Sequence, residues 1–298
     1  MKEAIRALAR ERDAVILAHN YTRPEIQDVA DITGDSLELA RKAAEVACST
    51  IVFCGVSFMA ETAKILSPDK TVLIPDPDAG CAMADMITGA QLRAFKAEHP
   101  GAKAVCYVNS TAEVKAECEM CVTSGNAEKV MRTFAADEKI LFVPDRHLGA
   151  HVAKLLGRRY ELWPGCCPIH ANLTAAAIAK ARAAHPGAPV LVHPECSEEV
   201  RDAADERLST GGMCAYVRGS SAREFIVGTE TGILHRLRKE NPGKAFYPVD
   251  ENLVCPDMKK TTLESLYASL KENRTVVTVP EDVAVRAKRA IDAMLAIR

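Results

Sequence analysis

Short apolar runs that end in polar residues recur along the chain, at Val15–Tyr21 (VILAHNY), Ala104–Ser110 (AVCYVNS) and Val190–Cys196 (VLVHPEC). Runs of this length read as strands. Each is followed by an acidic, helix-favouring stretch: Glu25–Asp31 (EIQDVAD), Glu113–Glu119 (EVKAECE) and Glu199–Asp205 (EVRDAAD). A second strand is predicted at Thr50–Cys54, Lys139–Val143 and Glu224–Gly228. A third, ending at a cysteine, is predicted in Thr71–Cys81, Tyr160–Cys167 and Ala245–Cys255. Ala-rich segments such as Leu37–Val46 and Ala175–Ala184 favour helix. The alternation of the two patterns predicts an α/β chain with short parallel sheets.

The same markers keep one period. His19, Tyr107 and His193 stand 88 and 86 residues apart, as do Tyr21, Asn109 and Glu195. A hydroxyl near a glycine follows the first marker by seventeen residues each time, at Ser36, Ser124 and Thr210. Cys81, Cys167 and Cys255 are spaced by 86 and 88. One fold unit therefore occurs three times. The expected units are α/β/α and homologous: 1–88, 89–174, and 175–298 with a C-terminal helical tail. Each is small for an independent core, so a pseudo-threefold packing is predicted. In parallel sheets the working residues gather at the carboxyl ends of the strands, which puts the aligned polar positions around a central active site.

Composition narrows the partners. Charged residues make up 26% of the chain and the formal net charge is -2, so there is no basic footprint for nucleic acid. Met1–Asp13 is charged and helical rather than a leader, and no apolar run approaches the roughly 18 residues of a membrane span. A cytoplasmic protein with no membrane partner is expected. Eleven cysteines in that setting argue for free thiols and metal ligation over disulfides.

Three thiolates from three units suit a soft metal centre. Structural zinc takes four protein ligands, commonly from closely spaced pairs, and the symmetry offers no fourth. A [4Fe–4S] cluster on three cysteines, with one open iron, fits better. Cys48, Cys54 and Cys106 lie in apolar context and read as core. Cys118 and Cys121 form a Cys-x-x-Cys, at the acidic stretch and its end, without a counterpart in the other units. Spacing does not separate Cys166 from Cys167 as the second ligand.

Taken together, His19-Asn20-Tyr21, Gly34-Asp35-Ser36, Pro75-Asp76 with Gly80-Cys81, Tyr107-Val108-Asn109 and Trp163 through Cys167 resemble the quinolinate synthase family. His193-Pro194-Glu195, Ser209-Thr210-Gly211, Val227 through Glu230 and Met258-Lys259-Lys260 extend the resemblance over residues 14–265. It implies a three-domain α/β protein with a [4Fe–4S] cluster on three cysteines. The implied reaction condenses iminoaspartate with dihydroxyacetone phosphate to quinolinate, phosphate and water, towards NAD. L-aspartate oxidase or an equivalent would supply the imine. The family's Gly-x-Cys after a tryptophan selects Cys167, and Cys255 matches the ligand ahead of Met258-Lys259. Leu208 stands where bacterial members commonly have glycine, which touches the loop around Thr210.

That reaction moves protons at several steps and needs an acid and a base. Glu195 is the expected base, with His193, two residues away on an extended segment, orienting or protonating an oxygen. Tyr21 and Tyr107 are expected to donate to oxygens or pass protons. By the same two-residue spacing His19 goes with Tyr21, and Asn109 with Tyr107. Ser36, Ser124 and Thr210 are expected to bind substrate or to cap helices whose N-termini seat carboxylate and phosphate, and Ser209 to bind substrate. Two rival readings share the cysteine logic: another open-iron hydro-lyase, which does not require the Tyr-x-Asn and His-x-Glu pairs, and a non-enzymatic iron–sulfur sensor, which lacks a binding element here.

Overall fold

The three apolar runs become the inner strands of three separate sheets. The computed structural model describes residues 1–297; Arg298, the last residue of the third expected unit, lies outside them. The first sheet contains β1 (Ala14–His19), β2 (Ile32–Gly34), β3 (Thr50–Cys54) and β4 (Thr71–Leu73). The second contains β5 (Lys103–Tyr107), β6 (Met120–Val122), β7 (Ile140–Val143) and β8 (Glu161–Leu162), and the third β9 (Val190–Val192), β10 (Glu206–Arg207), β11 (Glu224–Gly228) and β12 (Ala245–Pro248). All pairings within them are parallel, and the order is the same each time: β2-β1-β3-β4, β6-β5-β7-β8 and β10-β9-β11-β12. Ile16, Leu17 and Ala18 are all buried although successive side chains point to opposite faces. Both faces of such a sheet are therefore covered, and its strands read as unbroken apolar runs.

Each sheet has one more strand than the pattern predicts. The acidic stretches begin as the helices Pro24–Val29, Ala112–Ala116 and Glu198–Ala203, but their last acid leads into an edge strand. Asp31 donates its N–H to the Ile16 carbonyl (2.9 Å) and accepts the Ile16 N–H on its carboxylate (2.8 Å). Glu119 treats Ala104 in the same way (2.9 and 2.5 Å), and Asp205 treats Val190 likewise (3.0 and 2.7 Å). One acid thus staples the edge to the inner strand in every repeat. The last strand of each sheet is also shorter than expected. It stops at Leu73, Leu162 or Pro248, and the three cysteines stand in the loops beyond, which turn away from the sheet.

The two helices of the tail pack on the first and second units. Helix Leu263–Glu272 lies on the first helix, Lys2–Glu11, and helix Glu281–Leu295 lies on Ala112–Ala116 and β6. Its apolar residues Ala287, Ala290, Ile291 and Met294 are spaced as one helical face and complete the core of the second sheet. A different cluster joins Leu17, Phe53 and Val72 of the first sheet to Leu191, Phe225 and Phe246 of the third. No described helix is long and apolar enough to cross a membrane.

Candidate active site

The strand ends of the three sheets meet at one cavity of about 1000 Å3, counted with the solvent at its mouth. The first sheet contributes His19, Tyr21 and Ser36, the second Tyr107, Asn109 and Ser124, and the third His193, Glu195 and Thr210; Cys81, Cys167 and Cys255 line it as well. Cys166 does not line it, and its N–H instead donates to the Met86 sulfur at 3.3 Å. Ser209 also falls outside, against a neighbouring cleft.

Ser36, Ser124 and Thr210 do not themselves cap helices. Ser36 and Thr210 are the first residues of helices Ser36–Glu45 and Thr210–Gly219, and the caps stand one residue earlier, at Asp35 and Ser209. One oxygen of Asp35 accepts the N–H groups of Leu37 and Glu38 (3.0 and 2.9 Å), and the other accepts from Ser209 Oγ and the Gly211 N–H (3.2 Å each). A single carboxylate so closes two helix ends from different sheets. A side chain at Gly211 would place its Cβ 2.6 Å from that oxygen and push the Asp35 carboxylate out of place. Thr210 Oγ1 accepts from Asn20 Nδ2 at 2.8 Å, which leaves its own hydrogen for the cavity. Ser124 caps no helix and faces His193 Nε2 at 3.1 Å.

Glu195 sits at the centre of a buried network that includes two residues the sequence reading missed, His170 and Thr229. His170 Nδ1 lies 2.7 Å from a Glu195 carboxylate oxygen and 3.2 Å from the Cys167 sulfur. A carboxylate only accepts, so Nδ1 carries a proton, and Nε2 shares a hydrogen bond of 2.7 Å with Thr229 Oγ1. Thr229 Oγ1 in turn shares a hydrogen bond of 2.5 Å with the Tyr21 hydroxyl. The result is a continuous chain from Tyr21 through Thr229 and His170 to Glu195. The only trace of His170 in the sequence is its place three residues after Cys167, and Thr229 stands in a stretch quoted for resemblance alone.

Burial works against charge on Glu195, but its pKa is lowered all the same, because a proton on either neighbouring imidazole, His193 or His170, and the bonds donated by His170 and Tyr107 favour the carboxylate. Burial, with Glu195 nearby, pushes both tyrosines well above their ordinary range, so they stay protonated donors. Desolvation lowers His19 to about 3 and His193 to about 4, so both rings are neutral near pH 7. Each takes the N–H of the residue two places on at Nδ1, Tyr21 for His19 (3.2 Å) and Glu195 for His193 (3.3 Å). The Nε2–H is therefore the group each offers as a donor. Asn109 Oδ1 is buried without a protein partner and remains an acceptor for whatever fills the space.

The three cysteines share a local design. Each precedes a short helical turn, Ala84–Met86, Pro168–Ala171 or Asp257–Lys259. Backbone N–H groups of that turn bond the sulfur: Met83 and Ala84 for Cys81, His170 for Cys167, Asp257 and Met258 for Cys255. Burial raises all three thiols, Cys81 to about 12, and a bound metal would deprotonate them. Among the described residues, the one group of three donors that lies within 4.8 Å is Cys167, His170 and Glu195, in which His170 and Glu195 are bonded to one another. The three cysteine sulfurs do not all lie within 4.8 Å of one another, and their place on one cavity is compatible with an iron–sulfur cluster. Glu230 supports the third cysteine by accepting its N–H (3.1 Å) and pairing with Lys259 (2.7 Å), which also donates to the Tyr21 carbonyl. In the Cys-x-x-Cys, Cys121 faces Cys106 at 3.5 Å across β5 and β6, and Cys118 donates to the Val114 carbonyl.

Comparison with known proteins agrees with this geometry. Residues 3–296 match the NadA family, described as Quinolinate synthetase A protein. A quinolinate synthase of Dehalococcoides mccartyi is 56% identical over 293 residues, 98% of this chain and 97% of its own. One from Thermus thermophilus is 54% identical over 301 residues (100% and 97%), and one from Methanoregula boonei 52% over 297 (100% and 98%). With matches of that identity running along nearly every residue, the chain belongs to the quinolinate synthetase A family.

Proposed function

We propose that the chain is a quinolinate synthase that joins iminoaspartate to dihydroxyacetone phosphate and releases quinolinate, phosphate and water in NAD biosynthesis. Cys81, Cys167 and Cys255 would hold a [4Fe–4S] cluster. The observation that carries this reading is that three cysteines from three repeats line the same cavity as the chain from Tyr21 to Glu195. When bound, the cluster supplies an open iron that acts as a Lewis acid on the hydroxyl lost in dehydration.

The protein's own groups account for the rest. Glu195, ionised and desolvated, is the base that takes a carbon-bound proton in the ketose-to-aldose shuffle. Its link through His170 and Thr229 joins the base to the Tyr21 hydroxyl, a second proton-carrying group on the same cavity. Tyr107 and the Nε2–H groups of His19 and His193 donate to carboxylate or carbonyl oxygens. Ser36, Ser124 and Thr210 supply further donors, and Asn109 Oδ1 accepts from a hydroxyl or imine hydrogen. Ser209 acts from outside the cavity by holding Thr210 in place. The imine is shielded from water because the site is buried between the three sheets. L-aspartate oxidase or an equivalent would supply the imine in the cytoplasm, where reducing conditions keep the thiols free.

The test is anaerobic purification, reconstitution with iron and sulfide, and quinolinate measured by absorbance after both substrates are added. Turnover should scale with cluster content and vanish when any one of the three cysteines is changed to serine. Turnover without iron, or a full cluster without quinolinate, overturns the proposal.

A further inference from the structure

The loops that carry the paired site residues are gripped from behind by one device used three times. The third residue of each acidic stretch is Gln27, Lys115 or Arg201, spaced by 88 and 86. All three are buried, with exposures of 5%, 0% and 3%. Gln27 Nε2 faces the carbonyls of Thr22 (2.9 Å) and Asn20 (3.0 Å). Lys115 Nζ donates to the Ser110 carbonyl (2.7 Å), and Arg201 Nη1 donates to the carbonyls of Cys196 and Pro194 (3.2 Å to the latter). In each case one acceptor lies five residues upstream, in the loop that leaves the inner strand. Those carbonyls turn away from the sheet and have no neighbouring strand to bond, so a buried side chain must meet them.

Charge is not the common element, because glutamine stands where the other repeats have lysine and arginine. Length and N–H donors are. Two of the three also reach a neighbouring repeat: Gln27 bonds the Gly232 carbonyl (2.9 Å), and Lys115 bonds Thr62 Oγ1 (2.9 Å) and the Phe58 carbonyl (3.3 Å). Lys115 thereby matches all three of its hydrogens, as a buried amine must. Arg201 is the most telling, since its two carbonyls flank Glu195 on either side.

We propose that Gln27, Lys115 and Arg201 are positioning residues that hold His19 with Tyr21, Tyr107 with Asn109, and His193 with Glu195 in their directions towards the cavity. Its kinetic side rests on the quinolinate synthase reading. The experiment uses the reconstituted full chain and two readouts, steady-state kinetics and amide hydrogen exchange. Arg201→Met is expected to lower kcat by roughly 10- to 100-fold with KM changed less than about threefold, as for a small misplacement of a reacting group. Exchange should quicken at residues 193–197 and not at 19–22 or 107–110. Arg201→Lys, with the donor that the second repeat uses, should lose only about threefold in kcat and quicken the same segment less. Should the methionine variant not fold, the lysine variant decides by the same two readouts. Wild-type kcat and exchange in the variant that folds, equal loosening of all three loops, or a lysine variant as slow as the methionine one each overturn the proposal. If the unaltered protein makes no quinolinate, the functional reading fails, and the exchange pattern still judges this one.

Discussion

At the scale of single residues, the site depends on groups that the repeat does not mark. Thr229 has no special spacing, yet its hydroxyl touches both Tyr21 and His170. Thr229→Val keeps the shape and removes both bonds. Its kcat is expected to fall by about 10²-fold, the usual scale for losing acid–base assistance, with cluster absorbance unchanged. Steady-state assay of the reconstituted variant checks this, and a kcat within twofold of the parent would remove the chain from the mechanism. His19 makes a pH prediction. Its folded value, about 3, lies below the ordinary 6.5, so below pH 6.5 the unfolded chain takes up a proton that the folded one refuses. Its contribution is intact above pH 6.5 and fades as pH falls towards 3. Between pH 6.5 and 5 the loss should be roughly 2 kcal/mol. Urea titrations of the apoprotein at pH 7 and 5 measure it, and His19→Gln should show a smaller difference between the two; an equal difference counts against the argument.

At the scale of elements, the inner strands and the long helices follow from local pattern, and the short edges do not. Helix Ala175–Ala184 has the predicted bounds and helix Ser36–Glu45 differs from its prediction by a residue at each end, because alanine-rich sequence favours helix wherever it lies. The edge strands β2, β6 and β10 have two or three residues each, too few for a periodicity, and exist because an acid ties them to a neighbour. Asp31→Ala should leave the Ile16 N–H without its carboxylate and cost about 1–3 kcal/mol, read as a lowered urea midpoint. An unchanged midpoint would mean that the staple does not matter to the edge.

At the scale of the molecule, the three sheets are not self-sufficient. Leu17, Phe53 and Val72 of the first share one core with Leu191 and Phe225 of the third, and the second is completed by the last helix. Residues 1–88 expressed alone should therefore lack a cooperative thermal transition by circular dichroism. A sharp transition would show that the shared core is dispensable. Ile291→Ala, although it lies in the tail, should destabilise the second sheet by about 2–5 kcal/mol through the cavity it opens, measurable by chemical denaturation. A loss below about 1 kcal/mol would mean that the tail only rests on that surface.

The triple repeat, the parallel α/β class and the residues gathered at the strand ends were all determined by the sequence, because strand length, helix propensity and a fixed spacing are properties of neighbouring residues or of a copied unit. His170, Thr229, the shared cap at Asp35 and the docking of the tail were decided only by the tertiary structure. His170 and Thr229 are 59 residues apart, Thr229 and Tyr21 are 208, and Asp35 and Ser209 are 174. Contacts over such separations leave no period to read, since they arise where the copies differ and only once the sheets have packed.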